Sequence, residues 1–154
     1  MLDKEEQLRR ITNGTLDPAE LEGLVGISYV IDRAVANHPC ANNIILKLLS
    51  VSPDIQTRRH VIKNPNVEQT IILSLASEFP HDFFTHPMLP FMLLEDPEVL
   101  HNLKPGALQA FLGSIARIQN CPMELLEVLA KDKNEWVRLR VGQNPNCPVS
   151  LLEM

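Results

Sequence analysis

The sequence predicts an all-α protein, a short solenoid of helix-turn-helix repeats that is irregular in the middle. Three observations predict it. Apolar residues recur at helical rather than strand spacing, similar segments recur along the chain, and 12 prolines against 6 glycines separate the helical segments. At 154 residues the chain has room for one such domain and is short for two ordinary ones.

The repeat is clearest in the helical segments that follow each turn. They are ANNIILKLLS from Ala41, EQTIILSLAS from Glu68, PFMLLEDPEV from Pro90, PMELLEVLAK from Pro122 and PVSLLEM from Pro148. Their starts are separated by 27, 22, 32 and 26 residues, so one unit is short and the next is long. Apolar residues at i, i+1 and i+4 form one stripe on each helix. Because a unit of about 25 residues cannot bury its stripes alone, neighbouring units must stack.

The turns before these segments also share a pattern, an asparagine or histidine followed by proline. They are NHPC at 37–40, NPNV at 64–67, HPMLP at 86–90 and NPNCP at 144–148. Asparagine tolerates the left-handed conformation that ends a helix, and proline suits the first position of the next one. The expected helix-ending residues are Asn37, Asn64 and Asn144, and the expected helix-starting residues are Pro18, Pro122 and Pro148.

The repeats divide the single predicted domain, residues 1–154, into successive units. The divisions are a capping helix at 1–14, repeats at 17–40, 41–67, 68–89, 90–121 and 122–147, and the start of an incomplete repeat at 148–154. Within the long unit, Pro105 to Ile118 is predicted to be the longest amphipathic helix. The last stripe has no second helix to cover it, so we expect end-to-end self-association through Val149, Leu151 and Leu152.

Two segments resemble a known family. LLEVLAKDKNEWVRLRVGQNPNCPVSLLE and RRHVIKNPNVEQTIILSLAS resemble the leucine-rich repeat variant, a bacterial helical repeat related to HEAT and armadillo solenoids, with the best match at 118–154 and 57–78. The resemblance implies α-helices alternating with short 3₁₀ helices in a right-handed superhelix. Residues 77–117 depart from the pattern, which makes the middle irregular.

Composition and charge favour a soluble, cytoplasmic protein. The formal net charge is −5 and the isoelectric point is near 5.5, which disfavours a polyanion as the main partner. No apolar run reaches the 18 or so residues of a membrane span, and the charged start MLDKEEQLRR is unlike a signal peptide. Three cysteines, an odd number, suit reduced thiols better than a disulfide framework.

Catalytic motifs are not found, so we expect a protein that is not an enzyme and uses no cofactor. The sequence holds no Gly-rich phosphate loop, nucleophile elbow or HExxH helix. Cys121 and Cys147 occupy the same slot of successive repeats, about 10 Å apart if helices stack, which is too far for shared ligation. An iron-sulfur or metal carrier remains a weak alternative, because such clusters take four thiolates. No metal site is predicted.

The most plausible function is a scaffold for another protein, presented on the repeat surface. The second helices align Arg33, His60 and Arg140 in one slot and Arg58 and Arg138 in another, and Trp136 is a candidate aromatic anchor. A nucleic-acid-binding repeat is the alternative for this basic stripe, which Asp82 and Ser114 interrupt. The other alternative is ion pairing within repeats, such as Arg138 with Asp132 or Glu135.

Phenylalanine and methionine concentrate in the irregular middle of the chain, between Phe79 and Met92. Phe83 and Phe84 are therefore candidates for contact with a partner, together with Met88, if their side chains are exposed. The opposite interpretation is that these side chains fill the core, and the sequence favours it.

Overall fold

The computed structural model describes residues 3–103 and 118–153, and within these ranges the chain is all-helical, with no strand. The predicted all-α class is confirmed. The α-helices are α1 Lys4–Thr12, α2 Pro18–Glu22, α3 Tyr29–Ala36, α4 Asn43–Leu49, α5 Ile55–Lys63, α6 Gln69–Leu75, α7 Pro80–Phe84, α8 Leu89–Glu95, α9 Met123–Ala130, α10 Glu135–Gly142 and α11 Val149–Leu152; a 3₁₀ helix, η1, covers Val99–Asn102. The helix predicted from Pro105 to Ile118 falls on residues outside the described ranges, except for its last residue, Ile118, which is buried.

Two compact units make up the chain, residues 1–75 and residues 76–154. The boundary follows α6 and falls inside the predicted 68–89 repeat, which is the shortest of the series. We refer to these as unit 1 and unit 2 and describe each by itself.

In unit 1, helices that occupy equivalent positions in the predicted repeats pack on one another. Helix α1 packs on α3 and α3 on α5, whereas α2 packs on α4. The interior is made by the predicted apolar stripes, for example Ile45, Leu46 and Leu49 on α4, which are buried. Because a short helix can bury its apolar stripe only against its neighbours, these helices are stable only when they pack together.

In unit 2, α9 packs on both α8 and α10. Phe83 and Phe84 at the end of α7 are completely buried, with their ring centroids 5.8 Å apart in an edge-to-face arrangement. The favoured interpretation, that these side chains fill the core, is therefore confirmed, and the alternative that Phe83 and Phe84 contact a partner is wrong. Aromatic rings supply the large apolar volume that a helix of only five residues otherwise lacks, so they occupy the core. Met88 is partly exposed, at 40%.

Helix ends and helix starts differ from the prediction in two respects. No described residue other than glycine has a positive φ, so the predicted left-handed asparagines are wrong. Asn64 takes an extended conformation, with φ −70° and ψ 130°, as expected for a residue that precedes proline. Pro18 does begin α2, whereas Pro122 and Pro148 stand one residue before α9 and α11.

The alternation of α and 3₁₀ helices that the resemblance implies has a counterpart where η1 follows α8, but three other predicted repeats do not show it. The second helices of three predicted repeats, α3, α5 and α10, are α-helices of eight or nine residues. Each begins with a side-chain cap, from Ser28, Asp54 and Asn134 respectively. Capped starts satisfy the first backbone N–H groups and favour a full α-turn over a 3₁₀ turn.

Candidate functional site

A buried polar residue stands immediately before proline in four of the turns. These residues are His38, Asn64, His86 and Asn144, each no more than 4% exposed. In every case the side chain accepts the backbone N–H two residues further on, at 3.1 Å to Nδ1 for the histidines and 2.9 Å to Oδ1 for the asparagines. Histidine and asparagine therefore perform the same turn-closing role, as expected for polar residues in these turns.

The asparagines also join one repeat to the preceding one. Nδ2 of Asn64 donates to the carbonyl oxygens of Ala36 and His38, at 2.8 and 3.0 Å. Nδ2 of Asn144 donates to the carbonyl of Ile118 at 3.1 Å. These long-range bonds, rather than helix termination alone, explain why asparagine recurs in the turns.

His38 is held in its neutral form. Since Nδ1 accepts the N–H of Cys40, the proton lies on Nε2, which is buried and has no hydrogen-bond partner among the described residues. Burial lowers the pKa of His38 below its usual 6.5. In the range just below pH 6.5 the unfolded chain therefore binds more protons than the folded one, so stability is lost as the pH falls through this range.

We expect the His38→Asn variant to lose less stability than the unchanged protein on going from pH 7.5 to pH 5. Asparagine can close the turn as it does at Asn64, and it does not titrate. Urea unfolding at the two pH values measures the difference. His81→Asn, at an exposed position, is the matched control and should retain the original pH dependence. Equal acid sensitivity in the unchanged protein and His38→Asn would contradict the assignment.

The structure brings together two residues of the predicted basic stripe, Arg33 and His60. Arg33 is bound to Asp54 through two hydrogen bonds, from Nε at 2.8 Å and Nη2 at 2.6 Å. Nδ1 of His60 lies 3.0 Å from the backbone oxygen of Arg33. These contacts link α3 to α5, so both residues have a structural role.

The other two aligned basic residues, Arg58 and Arg138, make the same kind of contact, a hydrogen bond to a backbone carbonyl. The guanidinium of Arg58 donates to the carbonyl of Ser52, six residues earlier. Arg138 does the same in unit 2, donating to the carbonyls of Asp132 and Lys133 at 2.7 and 3.1 Å. Each arginine thus binds the loop that leads into its own helix.

The remaining candidates lie on the surface of unit 2. Arg140 is bound through Nη1 to Oε1 of Gln143 at 3.0 Å. Trp136 is 62% exposed near the start of α10, and Leu139, one turn along, is exposed as well. This part of the predicted site is accessible.

The carboxyl group of Asp54 is strongly affected by its surroundings. It caps α5, accepting both the N–H and the hydroxyl of Thr57, at 2.8 and 2.7 Å. The hydrogen bonds from Arg33 and Thr57 hold its pKa well below the usual 3.8, with Arg33 as the largest cause. Above pH 3.8 the ionised carboxylate therefore stabilises the folded state, and this stabilisation is lost as the pH falls further.

Asp54→Asn should lower the thermal midpoint clearly at pH 7, and the gap to the unchanged protein should narrow at pH 3. Asn retains capping ability but loses the charge that binds Arg33. Thermal unfolding followed by circular dichroism at both pH values is the test. Asp17→Asn is the control, since Asp17 caps α2 in the same way but makes no ion pair among the described residues. A gap that is constant from pH 7 to pH 3 would refute the role of the charge.

Unit 1 has an accessible, mainly apolar groove of about 620 Å³. Residues 25–29 and Asp32 form one side, and Leu48, Leu49 and 51–53 form the other. Among the described residues of unit 1, the exposed large apolar side chains all lie between residues 27 and 55: Ile27, Tyr29, Val30, Ile44, Leu48, Val51 and Ile55. Four of them, Ile27, Tyr29, Leu48 and Val51, line the groove.

The sequence prediction missed this groove and looked instead to the phenylalanines of unit 2. A signal was present in NIILKLLSV, which is apolar on two sides of a helix. Ile45, Leu46 and Leu49 account for the buried stripe, whereas Ile44, Leu48 and Val51 follow the spacing i, i+4, i+7 and are exposed. Val51 is 81% exposed. This helix has more apolar residues than one core stripe needs, and that excess could have identified the exposed apolar surface of unit 1.

The thiols and the acidic residues form no evident metal centre. Within residues 3–103 and 118–153, no group of three His, Cys, Asp or Glu side chains could hold a metal ion. Burial raises the pKa of the Cys121 thiol to about 11, so it is protonated near neutral pH and is a poor ligand. Cys40 is exposed and Cys147 is half-buried.

The predicted self-association surface is accessible in unit 2. Val149 and Leu152 on α11 are exposed, while Leu151 is half-buried and lines a cavity of about 190 Å³ together with Gly142 and Cys147.

The chain was compared with known protein families, curated proteins and solved structures. No family model matches the chain, and neither a curated protein nor a solved structure was found to match it. In the part of the chain that the structure describes, none of the helices has the length and apolar character needed to cross a membrane.

Proposed function

We propose that the chain is a non-catalytic, cytoplasmic protein-binding module, a short right-handed α-solenoid of the leucine-rich repeat variant kind. The packing of equivalent helices on one another in unit 1 supports the repeat interpretation. The turn asparagines support it further, since Asn64 and Asn144 make the same bonds in two places of the chain.

The observation that carries the binding proposal is the apolar groove of unit 1. Exposed aliphatic and aromatic side chains that lie together on a surface mark contact sites for other proteins. At about 620 Å³ the groove falls within the range of about 300–1,000 Å³ that is typical of binding pockets. The groove lies between the start of α3 on one side and the end of α4 with the loop after it on the other, and the hydrogen bonds of Arg33 to Asp54 join α3 to the end of that loop.

A pair of substitutions tests the proposal. Leu48→Glu combined with Val51→Glu places two charges on the groove wall, at side chains that are 51% and 81% exposed and contribute little to the core. Proteins captured from extracts of the native cell by the tagged chain are compared by quantitative mass spectrometry. A specific partner should be depleted at least tenfold by the double variant, because burying an unpaired charge at an interface costs several kcal/mol. Leu94→Glu, equally exposed in unit 2, is the control and should capture the partner normally.

The nucleic-acid alternative has weaker support. Three arginines of the predicted basic stripe already bind oxygens of this chain: Arg33 binds a carboxylate, and Arg58 and Arg138 bind backbone carbonyls. A guanidinium engaged in this way must give up those bonds, or share them, to neutralise a phosphate.

Self-association through α11 is a second proposal, carried by the exposure of Val149 and Leu152 at 67% and 56%. Light scattering over a concentration series should show the mass rising with concentration. Val149→Glu combined with Leu152→Glu should abolish the rise, and a mass that is constant in the unchanged protein would refute the proposal.

A further inference from the structure

One acidic side chain lies in the apolar groove of unit 1. Asp32, in the first turn of α3, is 6% exposed and lines the groove. Its Oδ1 accepts the backbone N–H of Gly26 at 2.7 Å, which ties the carboxylate to the loop on the same side of the groove. Gly26 has φ +85°, a conformation that glycine adopts readily, so the loop can present its N–H in this direction.

The groove contains no charge that balances Asp32. None of the eleven lining residues is lysine, arginine or histidine. Among the described residues Asp32 takes part in no ion pair, and the bond from Gly26 engages one carboxylate oxygen. A carboxylate this well covered is costly unless it is paired, and the apolar walls strengthen its attraction for a cation.

We infer that the groove receives an aliphatic segment of a partner protein that carries a lysine, with the lysine ammonium bound by Asp32. This inference rests on the proposed protein-binding function and adds the chemistry of the partner. The lysine stem would lie along Leu48 and Val51, as lysine stems do on apolar surfaces, while Ile27 and Tyr29 contact the neighbouring aliphatic residues.

The arrangement around Asp32 favours lysine over arginine. A guanidinium binds a carboxylate best through two parallel hydrogen bonds, which need both oxygens. Here Oδ1 is already bound by Gly26, and the Asp32 residue as a whole is only 6% exposed, which leaves little room for a second parallel hydrogen bond. A compact ammonium on a flexible stem can approach the remaining oxygen as a single point charge.

Short peptides test the inference on the full-length chain. The protein, labelled with ¹⁵N, is titrated with acetyl-Leu-Lys-Leu-amide and with the same peptide carrying uncharged norleucine in place of lysine. The amide of Gly26, which Asp32 binds directly, is the reporter, with Ile27 and Ser52 on the two sides of the groove. The variants are Asp32→Asn, in which an amide oxygen can still accept from Gly26, and Leu48→Ala, which shortens the wall.

The lysine peptide should bind at least about tenfold more tightly than the norleucine peptide, as expected for one charge-assisted hydrogen bond. Asp32→Asn should bring that ratio close to one, whereas Leu48→Ala should weaken both peptides equally. If Asp32→Asn does not fold, the ratio of the affinities for the lysine and norleucine peptides, measured with the unchanged protein and with Leu48→Ala, decides whether a lysine is bound.

Equal binding of the two peptides would overturn the lysine assignment but leave an apolar docking groove standing. Shifts confined to amides outside the groove, or no shift with either peptide, would also overturn the inference. The proposed function is judged separately, by capture with Leu48→Glu and Val51→Glu, so its failure and the failure of the lysine assignment are distinguishable.

Discussion

Phe83→Ala is expected to lower the free energy of unfolding by about 3–5 kcal/mol, the largest effect of any single change considered for this chain. Phe83 is completely buried, and its ring meets that of Phe84 edge to face at 5.8 Å. The alanine variant loses the free energy gained by transferring the ring from water into the core, and it leaves a cavity that the short helices can only partly close. It also removes the edge-to-face pair, which contributes about 0.5–1.5 kcal/mol of its own.

Urea unfolding provides the measurement, and the single tryptophan, Trp136, reports on it from within the same unit. The matched control is Phe91→Ala, because the Phe91 side chain is 60% exposed and should change the stability by about 0.5 kcal/mol or less. Equal stability of Phe83→Ala and Phe91→Ala would contradict the assignment of Phe83 to the core.

Asn64→Ala is expected to cost about 2–4 kcal/mol, the second largest effect. The side chain donates two hydrogen bonds to the preceding turn and accepts one within its own, and the residue is 2% exposed. Its loss removes all three bonds. The carbonyl of His38 keeps the N–H of Ala41 as a partner, whereas the carbonyl of the buried Ala36 loses its bond to Asn64, and a buried group left unpaired costs more than the bond itself contributes.

Two further variants make this test specific. Asn37→Ala, an exposed asparagine at the end of α3, is the control and should change stability by about 0.5 kcal/mol or less. Asn64→His should retain part of the stability lost in Asn64→Ala, because His38 and His86 close equivalent turns through Nδ1. Comparable losses for Asn37→Ala and Asn64→Ala would show that the bonds to the preceding turn are not the source of the effect.

The helices themselves could be predicted from the sequence, because a helix depends mainly on local periodicity. The i, i+1, i+4 spacing correctly predicted buried stripes such as Ile71, Ile72 and Leu75 or Leu125, Leu126 and Leu129, and Pro18 was correctly placed at a helix start. The helix ends were predicted less well, since the conformation of Asn64 is set by the proline after it and by bonds to a turn more than 25 residues earlier.

The candidate site depended on contacts that no local pattern encodes. Arg33 was predicted to face a partner, but Asp54, 21 residues away in sequence, binds it. The groove depends on Leu48 and Val51 remaining uncovered, and on Asp32 lining it close to them.

Thus the sequence by itself determined the all-α class, the repeated helical segments and the polar turn slots, since each follows from spacing within a few residues. Only the tertiary structure decided which apolar side chains are covered, placing Phe83 and Phe84 inside and Ile44 and Val51 outside. Burial is a property of what packs against a helix, and the packing neighbours come from other parts of the chain.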